Sequence, residues 1–448
     1  MLLELQKKYI ITRIDKAGNN VHFTCKKYYL QVIANELTTT NTYKKCRSKV
    51  NDIISDHSAT LETMGIPVEE KHMKLPKIYA LPKQHKTPVK FRFIAAGVKC
   101  TTKSLSKIIS SALKHILKTV KNYYNYEYFF KKGSPFWVID NRSKVIHDIK
   151  MINNRRKAKT VASYDFTTLY TSIPHSKLLE SLKFVCHDSF KCSKKLFLIA
   201  NKNRAYWSDK SVNSKKSISF TADLLLQWIT FLVNNSYVTF GSSLYRQVVG
   251  IPMGTDCAPV VANIFLFYYE LKFVSSRSEE ELNDKYNFTE FTSRFLDDII
   301  IFNDNGEFAN ICSEIYPSEM ELVPTHSSDD HVNFLDLNIC VKDGLFISSL
   351  FDKRTEFNFK VRSMPHFYSN APNSSAIGTF ISQLTRYLEI NSDFTLFSRD
   401  CKLLRTKLIY QGFPASYLND GIKRFIKNKS LNIINKYWTL PKLRDFIS

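Results

Sequence analysis

Residues 161–174, VASYDFTTLYTSIP, read as a strand ending in a carboxylate, and residues 293–303, SRFLDDIIIFN, as a strand carrying two. In both, apolar and β-branched residues run up to the acid, as in a strand whose end leaves the core. Between them lies VVGIPMGTDCAPVVANIFLFYYE, residues 248–270: a short strand, a turn bounded by Gly250 and Gly254, and a helix. Both glycines allow a tight turn or close approach to a ligand. Thr255 or Asp256 is expected to cap the helix, and Pro259 suits its first turn. Val260, Val261, Ile264 and Phe265 supply its buried stripe. The spacing is not that of a GxxxxGK[ST] phosphate loop.

An Asp-Asp pair alone means little, because such pairs are common in exposed turns. Here bulky apolar residues flank Asp297 and Asp298 on both sides, so the pair is held against a core. Two carboxylates there repel each other unless a cation neutralises them. With Asp165 they predict a site for two divalent cations, the arrangement that clamps a phosphoryl group during displacement. Magnesium, a hard ion that takes carboxylate oxygens and substrate phosphates, is the expected occupant, with manganese as a substitute.

The chain has 64 Lys and Arg against 41 Asp and Glu, a net charge of +23, which favours a polyanionic partner. Its 44% hydrophobic and 13% aromatic content exclude a disordered tail. Nine cysteines stand singly with no CxxC pair, so free thiols are expected, not a disulfide framework or zinc site. No run approaches the roughly 18 apolar residues of a membrane span, and a soluble protein of nucleus or cytoplasm is the expectation.

The charge is unevenly placed. From Lys71 to Tyr126 there are 13 Lys or Arg and no acidic residue. Within this stretch, Leu105, Ile108, Ile109, Ala112, Leu113, Ile116 and Leu117 recur at helical spacing. Lys103, Lys107, Lys114 and Lys118 fall on the opposite face. A surface helix with solvated lysines is the plain alternative, but such a helix ordinarily mixes signs to gain i,i+4 pairs, so a nucleic-acid phosphate contact is the favoured reading of this face. In LPKIYALPKQHKTPVKFRFIAAG, Lys90 and Arg92 alternate with Phe91 and Phe93, which puts both cations on one strand face. Such a pair suits a triphosphate, although a solvated edge strand reads the same way. The last 48 residues, from Cys401, hold ten basic and two acidic residues in helical pieces broken near Pro414.

Together these segments resemble a reverse transcriptase of the Penelope-like retroelement group, related to telomerase reverse transcriptase. The resemblance runs through YALPKQHKTPVKFRFIA, YDFTTLYTSIP, LYRQVVGIPMGTDCAPVVANIFLFYYE, RFLDDI, NFLDLNI and LFDKRTEFNF, and is most specific in LYTSIP, GIPMG and LDD taken in that order. It implies an α+β right-hand polymerase. Fingers fall at 1–155, a palm with an antiparallel sheet and packed helices at 156–345, and a helical thumb at 346–448. An insertion at about 180–245 lies on the fingers side. Asp165, Asp297 and Asp298 are then the metal ligands. Lys90, Arg92, Phe166, Tyr170, Gly250, Met253 and Gly254 form the nucleotide pocket, with Tyr170 excluding a 2′-hydroxyl. The implied partners are an RNA template, a DNA primer or target and deoxynucleoside triphosphates, with no membrane.

Three departures bear on that reading. The tyrosine usual two residues before the paired aspartates is Phe295. No Lys or Arg lies between Asn303 and Val341, where a general acid for pyrophosphate is sought, leaving His326 or water. The GIY-YIG endonuclease of many relatives is not seen after the thumb, and the start falls almost inside the fingers. A catalytically silent nucleic-acid-binding remnant is the alternative.

Overall fold

The two aspartate strands pair with each other in the computed structural model. It describes residues 2–447 apart from 129–132, 213, 215, 305, 360, 362, 363, 371, 440 and 443. Val161–Phe166 lies between Asp298–Phe302 and Leu322–Pro324, with Thr292–Phe295 at the far edge, in an antiparallel four-stranded sheet. Strand alternation gives this sheet two faces. Ala162, Tyr164, Phe166, Ile299 and Ile301 enter the largest core, which they share with helices Lys103–Glu127, His175–Ser193 and Ala258–Ser275. Val161, Ile300 and Phe302 enter a second core with Val332, Phe334, Leu337, Ile339 and Phe346. Those five belong to a three-stranded antiparallel sheet, His331–Phe334, Leu337–Lys342 and Leu345–Leu350.

Helix Ala258–Ser275 is buried well beyond the expected stripe, with Phe265, Leu266 and Phe267 all fully covered. Its sequence is apolar on every side because sheet and helices enclose it. Its cap differs from expectation. The N-cap is Cys257, and Asp256 instead pairs with Lys103 at 2.7 Å.

The N-terminal part holds the hairpin Tyr9–Ile14/Ala17–Cys25 and a five-stranded sheet. The order there is Tyr43–Cys46, Ser243–Gln247, Tyr237–Phe240, Lys77–Lys83, Lys90–Ala96. The middle of the chain thus returns to the N-terminal sheet through Tyr237–Phe240, which runs parallel to Lys77–Lys83. Ahead of this return, Phe197–Ala200, Ala205–Ser208 and Ile218–Phe220 form a small sheet of their own. Val145, Ile149 and Ile152 of helix Ser143–Asn154 pack in the second core, so a boundary at residue 155 cuts through one packed unit.

Helices Asn373–Ile390, Phe394–Ile409 and Ala415–Tyr437 enclose a third core around Phe380, Phe397 and Phe425. Pro414 precedes the last of them, where the chain was expected to break. Asp336 ties this region to the rest, accepting from Arg386 at 2.7 Å and Arg142 at 3.1 Å. The nine cysteines are free. Among the described residues no helix is long and apolar enough to cross a membrane.

Candidate active site

Asp165 and Asp298 are direct cross-strand partners and therefore share a sheet face. That face is apolar through Val161, Ile300 and Phe302 and turns acidic where the second core ends. Asp297 sits beside them in the two-residue tip that joins Phe295 to Asp298. Its carbonyl accepts from the Phe166 amide at 3.1 Å, which locks the tip to the first strand. Leu296, the other tip residue, has φ +56°, a conformation that costs an L-residue roughly 1–2 kcal/mol.

What holds the strained tip lies underneath. Arg294 is fully buried on the opposite sheet face, paired with an equally buried Glu270. Its guanidinium also donates to the Leu296 carbonyl and to Asn263 Oδ1, both at 2.9 Å. Tyr316 donates to Glu270 at 3.0 Å. This network was not read from the sequence, where Arg294 looks like any polar residue in a strand.

Nothing comparable neutralises the carboxylates above. Burial, then Asp297 and Asp165, push the Asp298 carboxyl up to about 7. Burial and Asp297 also raise Asp165, against the pull of Lys16, Lys353 and Lys83. Two carboxyls that resist ionisation, beside a third oxygen-donor side chain, are the donor set a hard divalent ion suits. Among the described residues no three His, Cys, Asp or Glu side chains form a ready-made cage. Magnesium held by one or two carboxylates plus substrate phosphates needs none.

The glycine turn forms one wall. Gly250 and Gly254 have φ +83° and +121°. A Cβ on Gly250 would meet the Tyr170 carbonyl, and one on Gly254 the Ala95 carbonyl. The Ile251 amide donates to the Tyr170 carbonyl at 2.7 Å, and the Ala95 amide to the Met253 carbonyl at 2.8 Å. Tyr170, Gly250, Met253, Gly254 and the Arg92 strand are thus brought together. Burial and Asp297 raise the Tyr170 hydroxyl to about 12, so it stays protonated.

Other residues fall differently. The Phe166 ring is in the core, edge-on to Tyr316 at 4.9 Å, because its strand position faces away from Asp165. Only its backbone reaches the site. Arg92 is ion-paired with Asp15 at 3.2 Å. Lys90 stands at the exposed start of its strand, directly opposite Lys83. Lys103 does not extend the exposed lysine row, because Asp256 holds its ammonium. Lys107, Lys114 and Lys118 are exposed as expected. His326 is taken up by the backbone of Ser163, with Nδ1 2.9 Å from its carbonyl.

The cations that act on the aspartates include two that sequence reading passed over. Lys16 lies in the tight turn of the N-terminal hairpin, and Lys353 follows the three-stranded sheet. Ile14 and Ala17 pack on Phe357 and Val361, which draws the two lysines together. Burial and Lys353 lower the Lys16 pKa, and burial and Arg92 lower that of Lys83. Their only signal was local: Lys353 sits in the LFDKRTEF stretch of the resemblance and Lys16 in the turn DKAGNN, neither with a periodicity that assigns it a site.

No protein-family model matches the chain, and no curated protein matches it by sequence. Solved structures do match. Telomerase from Candida albicans, in complex with a TWJ fragment of telomeric RNA, superposes with TM-score 0.62 at 10% identity, over 99% of this chain and 70% of that one. The chain has the fold of telomerase. Apo telomerase from Candida tropicalis gives TM-score 0.53 at 12% identity, over 97% of this chain and 68% of its own. The C. tropicalis enzyme with the TWJ fragment gives 0.51 at 11%, over 96% and 62%.

Proposed function

We propose that the chain is an RNA-directed DNA polymerase, the reverse transcriptase of a Penelope-like retroelement. The observation that carries this reading is the register of Asp165 against Asp298, with Asp297 at the adjoining tip. The telomerase fold supports it. The four-stranded sheet and its helices act as the palm, the N-terminal sheets as the fingers and the C-terminal helices as the thumb.

Asp165, Asp297 and Asp298 would hold two magnesium ions, whose chemistry is to activate the primer 3′-hydroxyl and neutralise charge on the leaving pyrophosphate. Lys16, Lys83 and Lys353 meet the triphosphate, in place of the lysine missing between Asn303 and Val341. Arg92 is pre-positioned by Asp15, and the half-buried Tyr170 ring closes the space a 2′-hydroxyl would need. The Gly250–Gly254 turn lets backbone approach the nucleotide where any Cβ would collide with neighbouring carbonyls.

Primer extension on poly(rA)/oligo(dT) with magnesium tests the reading. The native chain extends the primer, and Asp297→Ala loses roughly a thousandfold or more, the rate equivalent of about 4 kcal/mol of charge stabilisation. If neither extends while both bind the duplex, the chain is a nucleic-acid-binding remnant. Tyr170→Ala gains ribonucleotide incorporation; an unchanged preference removes the gate assignment.

A further inference from the structure

We propose that helix Lys103–Glu127 and the hairpin Phe197–Ala200/Ala205–Ser208 form the two walls of a groove that holds the single-stranded stretch of an RNA template ahead of the aspartates. The inference rests on the polymerase reading and adds a binding site to it.

The helix wall is the exposed row Lys107, Lys114 and Lys118. At 1.5 Å per residue they stand about 10.5 and 6 Å apart along the axis. The hairpin wall is its tip, with Lys202 and Arg204 both exposed. That tip is fixed. Asn201 Oδ1 accepts from the amides of Asn203 and Arg204 at 2.9 and 3.0 Å. Trp207 anchors the hairpin to the helix, donating to Thr119 Oγ1 at 2.8 Å and packing edge-on against Phe190. All five cations line one cavity of about 460 Å³, a size that takes a strand unit by unit and not a duplex.

The charge in this groove is unbalanced. Among the described residues no carboxylate forms an ion pair with Lys107, Lys114, Lys118 or Arg204, and Lys202 reaches only Glu69, at 4.0 Å. Asp256 lines the groove, but its charge is matched by Lys103. Four cations with no acidic partner, and a fifth held only at 4.0 Å, repel one another until a polyanion fills the space. His115, tilted against Trp207 at 5.9 Å between ring centroids, adds a flat ring to the lining, and burial followed by Lys118 lowers its pKa, which favours the neutral form.

The groove has a direction. Its inner end is Asp256, two residues past Gly254, where the glycine turn meets the Arg92 strand. A strand lying against the lysines therefore reaches the nucleotide wall from outside. Phosphate contacts along such a path fix register and carry no sequence preference.

Fluorescence anisotropy on RNA/DNA hybrids of one duplex length tests this, comparing blunt ends, a 5′ RNA overhang and a 3′ overhang across a salt series. The native chain should bind the 5′-overhung hybrid more tightly than the other two. Lys202→Gln/Arg204→Gln should abolish that preference and leave blunt binding unchanged. Its salt slope on the overhung hybrid should fall by about 1.4, at about 0.7 per phosphate on a single strand. Lys114→Gln/Lys118→Gln, on the other wall, should do the same, which guards against misfolding of one variant. Equal weakening on blunt and overhung hybrids makes the surface a duplex contact and overturns the proposal. So does a native chain without overhang preference, the result expected if the groove serves an acidic protein segment. No nucleotide is added, so a native chain that shows the preference yet extends no primer keeps the groove and loses the polymerase.

Discussion

The hairpin 292–302 carries charge on both faces, and the two faces are treated in opposite ways. Underneath, Arg294 is wholly buried, yet Glu270, Asn263 and the Leu296 carbonyl satisfy its guanidinium. Above, Asp165, Asp297 and Asp298 crowd together with only nearby lysines to offset them, and Asp298 is driven up to about 7. Buried charge is tolerated when paired and hydrogen-bonded, and is costly otherwise. A sheet that pairs one buried charge fully on one face and leaves three carboxylates without a direct partner on the other holds the acidic face ready for something outside the chain. The strained Leu296 at the tip belongs to that arrangement.

The hairpin is most vulnerable from below. Arg294→Met leaves Glu270 buried and unpaired, and urea unfolding should show a loss of about 3–5 kcal/mol. Arg294→Met/Glu270→Leu should recover most of it. If the double variant is as weak as the single one, the network acts through packing and not through charge.

Removing the acidic face should act in the opposite sense and depend on cations. Saturating magnesium should raise the melting temperature of the native chain, equivalent to about 2.7 kcal/mol at a hundredfold excess over Kd. Asp297→Ala should show no such rise. An equal response from both would move the ion elsewhere.

In metal-free buffer the pH dependence follows from Asp298. Its folded pKa, about 7, lies above the ordinary value of 3.8. The protonated form is therefore favoured by folding, and this stabilisation is fully present below about pH 3.8 and lost as pH rises through 7. Asp298→Asn should flatten that decline. A native curve flat between pH 5 and 8 would contradict the crowding inferred for this face. The smallest effect belongs to the tip, where Leu296→Gly should relieve left-handed strain and stabilise by up to about 1 kcal/mol. A loss of stability there would mean that the leucine side chain, which lines a neighbouring groove, matters more than the backbone.

Much of the local structure was legible because it depends on near neighbours in the chain. The aspartates announce themselves by interrupting apolar strands, and Gly250 and Gly254 by bounding a turn. The 103–127 helix buries Leu105, Ile108, Ile109, Ala112, Leu113 and Ile116, as their spacing required. Phe166 and Lys103 show where local reading stops. Strand parity turns the Phe166 ring into the core, and a carboxylate 153 residues away takes the Lys103 ammonium.

Periodicity and steric limits act over a few residues, so strand and helix segments, the places of their acids and the turns that exclude a Cβ are all written locally in the chain. That Asp165 stands opposite Asp298, that Arg294 is buried, and that Lys16 and Lys353 act on the aspartates is set by long-range packing. Those pairings follow from burying both sheet faces at once, a condition on the whole chain that no local pattern records.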